Sequence, residues 1–410
     1  MSETADAHGE RTVPAASRRT LATTSSVHFV HDGIGDALYV LLPFWAQAFG
    51  LSYAEVGTLR SAYSAALAFL QVPAGMLGER LSERALLAGG TVLAGLAFAL
   101  LATSQGYAMV GGLILLAGVG SSVQHPLAST IIARSCAPSA RRAALGVYNF
   151  SGDVGKMTVT AAMGVGVIAL GWQASVVIYG MVVAGVGVLA FLGLHRLAKP
   201  EQLPSAKADG APRPAGWGFT NRKGFALLSS IQLVDSACRT GLLTFLPFLL
   251  ISKGASAASI GFGLSLVFIG GALGKLVCGL LAERMGILRT VILTEIATGL
   301  AILAVVASPL ALAMVLLMPL GVALNGTSSV LYGTVAEFVR DDRQGRAFGL
   351  FYTLGSAAGA TAPFAFGLIS DLTSVPTALV LVAMLALATV PIALALAPHV
   401  SKAGPDAGRG

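Results

Sequence analysis

The chain has 410 residues, of which 55% are hydrophobic and only 11% charged, with a formal net charge of +7 and a mean hydropathy of +0.79. About a quarter of the residues of an ordinary soluble domain are charged, so this composition excludes a cytosolic enzyme, a nucleic-acid-binding protein and a disordered chain. The solvent it suits is lipid, where a basic excess marks particular loops and not an affinity for nucleic acid.

A helix needs about 20 mostly apolar residues to cross a bilayer. Residues 1–20 are polar and read as a tail. Ser17-Arg18-Arg19-Thr20-Leu21 faintly resembles a twin-arginine export signal. The apolar stretch behind it carries His28, His31, Asp32 and Asp36 and no clear small-residue cleavage site, so it reads as a first membrane helix that stays. Spans are predicted at 21–48, 55–77, 85–104, 107–132, 143–169 and 172–195, then at 224–250, 256–281, 288–307, 310–336, 346–369 and 376–397. They are too long, and alternate too little, for a β-barrel. The expected fold is an all-α membrane protein with twelve transmembrane helices.

The basic residues give the orientation. Of 26 Lys and Arg, 21 lie in the two tails, in residues 196–223 and in or at the border of the loops after the second, fourth, eighth and tenth spans, Arg289 and Arg346 standing at the starts of the spans that follow. The opposite loops hold only Lys253, and Arg60, Lys156, Arg239 and Lys275 fall inside spans. Basic loops stay in the cytoplasm, so a multi-pass protein of the cytoplasmic (inner) membrane is expected, with both termini cytoplasmic. Cys136, Cys238 and Cys278 show no paired spacing, so neither a disulfide framework nor a metal site is expected.

Residues 196–223, rich in Pro, Ala, Gly and charge, read as a cytoplasmic linker between bundles at 21–195 and 224–397, with 398–410 as the C-terminal tail. The bundles repeat at a shift of 204 residues without a gap. Leu42-Pro43-Phe44 meets Leu246-Pro247-Phe248, Gly50 meets Gly254, Ser52 meets Ser256, Gly57 meets Gly261, Gly75 meets Gly279 and Glu79-Arg80 meets Glu283-Arg284. Six spans per repeat preserve orientation, so the halves are related by an axis along the membrane normal, as in major facilitator transporters.

The loops carry the same resemblance. Gly75-Met-Leu-Gly-Glu79-Arg80-Leu-Ser-Glu-Arg84 resembles that superfamily's signature after the second span, Gly-x-x-x-Asp-Arg-x-Gly-Arg-Arg, with Glu at 79, Ser at 82 and Glu at 83 as departures. Gly279-Leu-Leu-Ala-Glu283-Arg284-Met-Gly286 repeats it. The first half resembles the fosmidomycin-resistance type of exporter in His28-x-x-x-Asp32, Pro43, Leu51-Ser52-Tyr53, Gln71-x-Pro73-x-Gly75 and His125-Pro126. Leu127 stands where that branch has Glu, and Asp153 where the exporters' fifth-span signature has Pro. The resemblance implies two pseudo-symmetric six-helix bundles and transport by alternating access.

Ionisable groups inside a membrane are costly unless paired or wetted, which makes each a functional candidate. His28, His31, Asp32 and Asp36 lie within an arc of about 140° at 100° per residue. They read either as proton-coupling groups lining a cavity, with Asp153 beside them, or as a self-neutralising cluster that holds the helix in place. Asp153 and Lys156 share one face of the fifth span, and Asp235 and Arg239 one face of the seventh. Both are structural pairs or solute-binding groups, and Arg239 offers the best fork for an anionic or polar solute. His125 and Asn325 join the candidate solute contacts, against packing and interhelical hydrogen bonding as the plainer roles. Lys275 and Glu295 are expected to form a structural ion pair, and Arg60 to reach the surface by snorkelling. Gly75, Glu79, Arg80, Arg84, Gly279, Glu283 and Arg284 are the expected cytoplasmic gate, or else a plain consequence of positive-inside topology. In the gate reading, Glu79 meets the start of the eleventh span near Arg346 and Glu283 that of the fifth near Arg142, which favours an outward-open state.

No phosphate-binding loop, nucleophile elbow or cofactor motif is present, so direct ATP drive and catalysis are not expected. The function expected is secondary transport of a small organic solute, as proton-coupled efflux. The alternatives are a proton-coupled uptake symporter for an organic anion and a non-transporting receptor or scaffold. The expected partners are the solute, protons and lipid, with no nucleic acid, no cofactor and a monomeric state.

Overall fold

The computed structural model describes residues 15–195, 218–340 and 344–400. Twelve α-helices are assigned among these: α1 (Ala15–Phe49), α2 (Tyr53–Arg80), α3 (Glu83–Leu100), α4 (Tyr107–Ser121), α5 (Gln124–Ser135), α6 (Pro138–His195), α7 (Arg222–Ser252), α8 (Ala257–Met285), α9 (Ile287–Ala307), α10 (Leu310–Thr334), α11 (Gln344–Leu372) and α12 (Val375–Leu396). They are not the twelve predicted spans one for one. The fourth predicted span is divided into α4 and α5, because Pro126 has no N–H for the Ser122 carbonyl and its ring crowds that carbonyl. The fifth and sixth run together as α6 and part at Gly171, whose φ of 81° and ψ of 161° are non-helical and open to glycine.

Eight stretches are long and apolar enough to cross a membrane, and one of them, 143–194, contains the Gly171 break. Helices α1, α2 and α11, which carry more polar sequence, lie outside that set but exceed the length a crossing needs. The whole fits twelve crossings. α1 begins at Ala15, inside the stretch read as the tail. Most of the predicted linker (196–217) and of the C-terminal tail (401–410) lies outside the described residues. The linker's end docks on the C-terminal half, where Thr220 N donates to the Phe338 carbonyl and Arg340 N to that of Gly218.

The repeat is visible in the packing. α2 packs on α4 as α8 does on α10, and α3 on α6 as α9 does on α12. Between the halves, α2 meets α11 and α8 meets α6. Local chemistry follows the same register. α1 and α7 end at Gly50 and Gly254 with φ of 63° and 89°, and Ser52 and Ser256 then cap α2 and α8 by accepting the N–H groups of Glu55 and Ser259. The buried apolar residues show how the halves join. One large core takes residues from both halves, including Leu38, Trp45 and Val56 with Leu246, Ile260 and Leu379. At the end carrying the basic loops, each half keeps a core of its own, one around Leu127, Ile132 and Tyr148 and the other around Val330, Phe338 and Phe351.

Candidate functional site

Two seams join the halves, and both are closed at the end away from the basic loops. In each, glycine lets backbones approach. A Cβ on Gly57 of α2 would strike the Pro363 carbonyl of α11, and one on Gly261 of α8 the Thr160 carbonyl of α6. Asp371 at the end of α11 accepts from the Tyr53 and Ala54 N–H groups at 2.8 Å each, so a carboxylate of one half caps α2 of the other. Thr160 and Ser265 meet at 2.9 Å, and Ser265 also donates to the Met157 carbonyl. About five helical turns further along, the same faces present Gly75, Gly146 and Gly279. A Cβ at Gly146 or Gly279 would meet nothing within 4 Å, and one at Gly75 only Pro126 of its own half. The halves therefore part toward the basic end.

The in-membrane charges converge where the seam gives way. Asp32 of α1 accepts from Lys156 Nζ of α6 at 3.2 Å and lies 3.3 Å from His28 Nε2 and 4.0 Å from His125 Nε2. Lys156 is also 3.7 Å from Asp153, and Asp153 takes Lys275 of α8 at 2.6 and 2.9 Å. A chain of alternating charge thus runs from α1 through α6 into the other half. Its outer members are partly exposed, with His125 at 44%, Lys275 at 46% and Lys156 at 30%, whereas Asp32 and Asp153 are at 14%. The break before Pro126 brings His125 to this group. Asp36, one turn beyond Asp32 on α1, makes no hydrogen bond or ion pair among the described residues; it faces the charges of Lys156 and Arg60 at longer range.

Other candidates lie elsewhere than expected. Lys275 pairs with Asp153, not with Glu295. The α8 face that carries it belongs to the seam with α6, whereas Glu295 is buried inside the C-terminal half against Thr327 and Thr389. His31 does not line the cleft: its ring nitrogens meet the Ser121 and Thr91 hydroxyls inside the N-terminal half, so the polar face of α1 is narrower than the 140° arc. Arg60 does not snorkel. It is buried, donates to the Tyr39 and Ser64 hydroxyls and lies over the Tyr39 ring at 4.6 Å. Asn325 donates to the Gly321 carbonyl one turn back and rests on Gly271 of α8.

Across the cleft, Asp235 is buried and accepts from Arg239 and Ser328 at 3.2 Å each. Arg239, one-quarter exposed, stands within electrostatic reach of Tyr39 in the opposite half. Tyr332 accepts from Gln232 and stacks on Tyr352 of α11 with ring centroids 4.6 Å apart. The sequence reading did not single out these tyrosines, nor Asp371, whose contacts span more than 300 residues of chain.

At the basic end the side chains of Glu79, Arg142 and Arg346 lie outside the described residues, so the expected Glu79 and Glu283 contacts fall there too. Glu283 and Arg284 are exposed, and so is Arg80. Arg84 donates to the Leu194 carbonyl within its own half. Glu83, one of the departures from the signature, pairs with Arg134 at 2.9 Å.

Against known families, the Major Facilitator Superfamily model matches residues 24–234 and 228–410. The chain belongs to the Major Facilitator Superfamily. Among curated protein sequences none matches it. Solved structures of this fold are similar over nearly the whole chain. A bacterial homologue of the human lysosomal transporter Spinster, inward-facing and unoccupied, has a TM-score of 0.75 at 16% identity and covers 95% of this chain and 96% of its own. Its inward-facing, occupied form has a TM-score of 0.74 at 16% identity, covering 92% and 94%. The nucleoside transporter NupG has a TM-score of 0.75 at 15% identity, covering 92% and 99%. This superfamily's fold places two helical bundles around a site near the midplane.

Proposed function

We propose that this member of the superfamily is a proton-coupled secondary transporter that exports a small organic solute by antiport. It would sit in the cytoplasmic membrane with both termini inside, a reading that the basic loops support. The observation that carries the reading is the interhalf charge chain Asp32–Lys156–Asp153–Lys275, with Asp36, which has no hydrogen-bond or ion-pair partner among the described residues, beside it where the cleft begins. A carboxylate wetted in one state and buried in the other takes up a proton on one side and releases it on the other. With the basic end inside, the closed Gly57 and Gly261 seams face outward, so this is an inward-open state. Efflux rests on the His28, Asp32, Pro43, Gln71, Pro73 and His125-Pro126 likeness to fosmidomycin-resistance exporters. Arg239 and Lys156 are the solute-facing cations, so an anionic or zwitterionic solute suits the cleft.

Proteoliposomes loaded with a pH-sensitive dye and challenged with a panel of solutes test the reading. Solute-dependent proton movement in the exchange direction supports it; solute flux with no proton movement overturns the coupling. Within that assay, Arg239→Ala is expected to raise the half-saturating solute concentration about ten- to a hundredfold, since a hydrogen bond to a charged group contributes about 1.5–3 kcal/mol. Lys275→Ala removes an interhalf contact instead, and is expected to change the rate with little change in affinity. Equal affinity losses in the two variants would place Arg239 outside the solute site.

A further inference from the structure

The sequence offered no metal-ligand spacing, because the third member of the group lies nearly a hundred residues from the other two. Folding brings His28, Asp32 and His125 together with one ligand atom from each within 4.8 Å of the others. His28 Nδ1 is 2.7 Å from the Tyr148 carbonyl oxygen. A carbonyl only accepts, so Nδ1 carries a proton, and the ring is fixed with Nε2 toward Asp32 Oδ2 at 3.3 Å. In a neutral ring that aims a lone pair at a carboxylate, which is repulsive unless a proton or a cation lies between them. Histidines that bind metals are oriented in this way, with the far nitrogen donating to a carbonyl or carboxylate.

The α6 backbone comes close at that point. A Cβ on Gly152 of α6 would come within 2.5 Å of His28 Nε2 and 2.6 Å of Asp32 Oδ2, so only glycine leaves the junction of the two groups free. Ligand atoms on a tetrahedral ion with bonds of about 2.0–2.2 Å lie about 3.3 Å apart. The His28–Asp32 separation already has that value, and His125, half-exposed at the start of α5, needs to approach from 4.0 Å. Lys156 Nζ lies 3.2 Å from the same Asp32 Oδ2, and Asp153 stands 3.7 Å from that ammonium, ready to receive it.

We propose that His28, His125 and Asp32 form a binding site for a divalent transition-metal ion of the zinc, cobalt or nickel class. Two imidazoles and one carboxylate suit these ions, and water completes the shell from the cleft. The ion takes the place of the Lys156 contact, and Lys156 turns to Asp153.

The test is titration of Co2+ into the full-length, tag-free protein in detergent, read by the visible absorption of bound cobalt, with Zn2+ as competitor. Wild type is expected to bind one equivalent that Zn2+ displaces. His125→Ala, at a half-exposed position, and Gly152→Ala are each expected to weaken binding at least about tenfold. Lys156→Gln is expected to tighten it by a similar factor, because it removes the competing cation. A purely structural histidine cluster would not respond to the lysine in that direction. Absence of a bound equivalent in wild type, or His125→Ala binding as wild type does, overturns the site and leaves a proton alone between His28 and Asp32. Binding is read without any solute flux, so failure of the transport reading would leave this result standing.

Discussion

Asp36→Asn is expected to abolish solute accumulation driven by a pH gradient while leaving solute counterflow at zero gradient intact. Asp36 sits on α1 with no hydrogen bond or ion pair among the described residues, one turn from Asp32 and in the long-range field of Lys156 and Arg60. A carboxylate in that position has no partner to lose when it takes up a proton, so its occupancy can follow the state of the cleft. The amide has nearly the same shape and cannot exchange a proton. Asp32→Asn is a harsher change, because it strips the partly exposed Lys156 of its nearer partner and leaves an ammonium largely out of water without its closest counter-charge. Its loss of coupling is expected to come with loss of stability, whereas Asp36→Asn is expected to reach the membrane in normal amount. The measurement is accumulation against counterflow in the same vesicles. Full gradient-driven accumulation in Asp36→Asn would take this carboxylate out of the coupling step.

Much of the fold was legible in the sequence because its signals are local or periodic. Long apolar runs mark helices, and the shift of 204 residues paired Gly50 with Gly254 and Ser52 with Ser256, which end and cap corresponding helices in the structure. Spans at 143–169 and 172–195 were separated at the glycine where α6 turns. The site was less legible because its contacts join distant segments. Lys275 and Glu295 lie at similar depth on successive helices, and depth alone made them partners. The helix that α8 meets at that face is α6 of the other half, so Asp153 is the partner. The repeat held a clue to this. Once Gly57 is known to face the opposite half, the same follows for Gly261 and for the α8 face that carries Ser265 and Lys275. Helical spacing likewise grouped His31 with Asp32, but an arc that wide reaches from the cleft to the interior, where Ser121 and Thr91 were waiting for it.

Wedges in the seams are expected to move the conformational equilibrium in opposite directions according to their place. Gly57→Val and Gly261→Val put a branched side chain against the carbonyls of Pro363 and Thr160, and these are backbone atoms of a packed helix that cannot swing aside. Forcing extra methyl groups into a close-packed contact costs about 1–3 kcal/mol. That cost falls only on the state in which this end is closed, so the population of the opposite state rises about 5- to 150-fold. Asp371→Ala acts in the same direction by releasing the α2 N-terminus. Gly279→Val is the counterpart, since space surrounds that position here and closes only when the basic end closes. It is expected to hold the state seen in this structure. A cysteine at Phe248, whose ring meets that of Tyr53 nearly perpendicularly with centroids 5.4 Å apart, reports the equilibrium through its labelling by an impermeant maleimide. Labelling is expected to accelerate in Gly57→Val and Gly261→Val and to slow in Gly279→Val, with gradient-driven transport reduced in all three. The same change in labelling from both kinds of wedge would mean that the glycines serve helix packing within one state, and that the two ends do not open alternately.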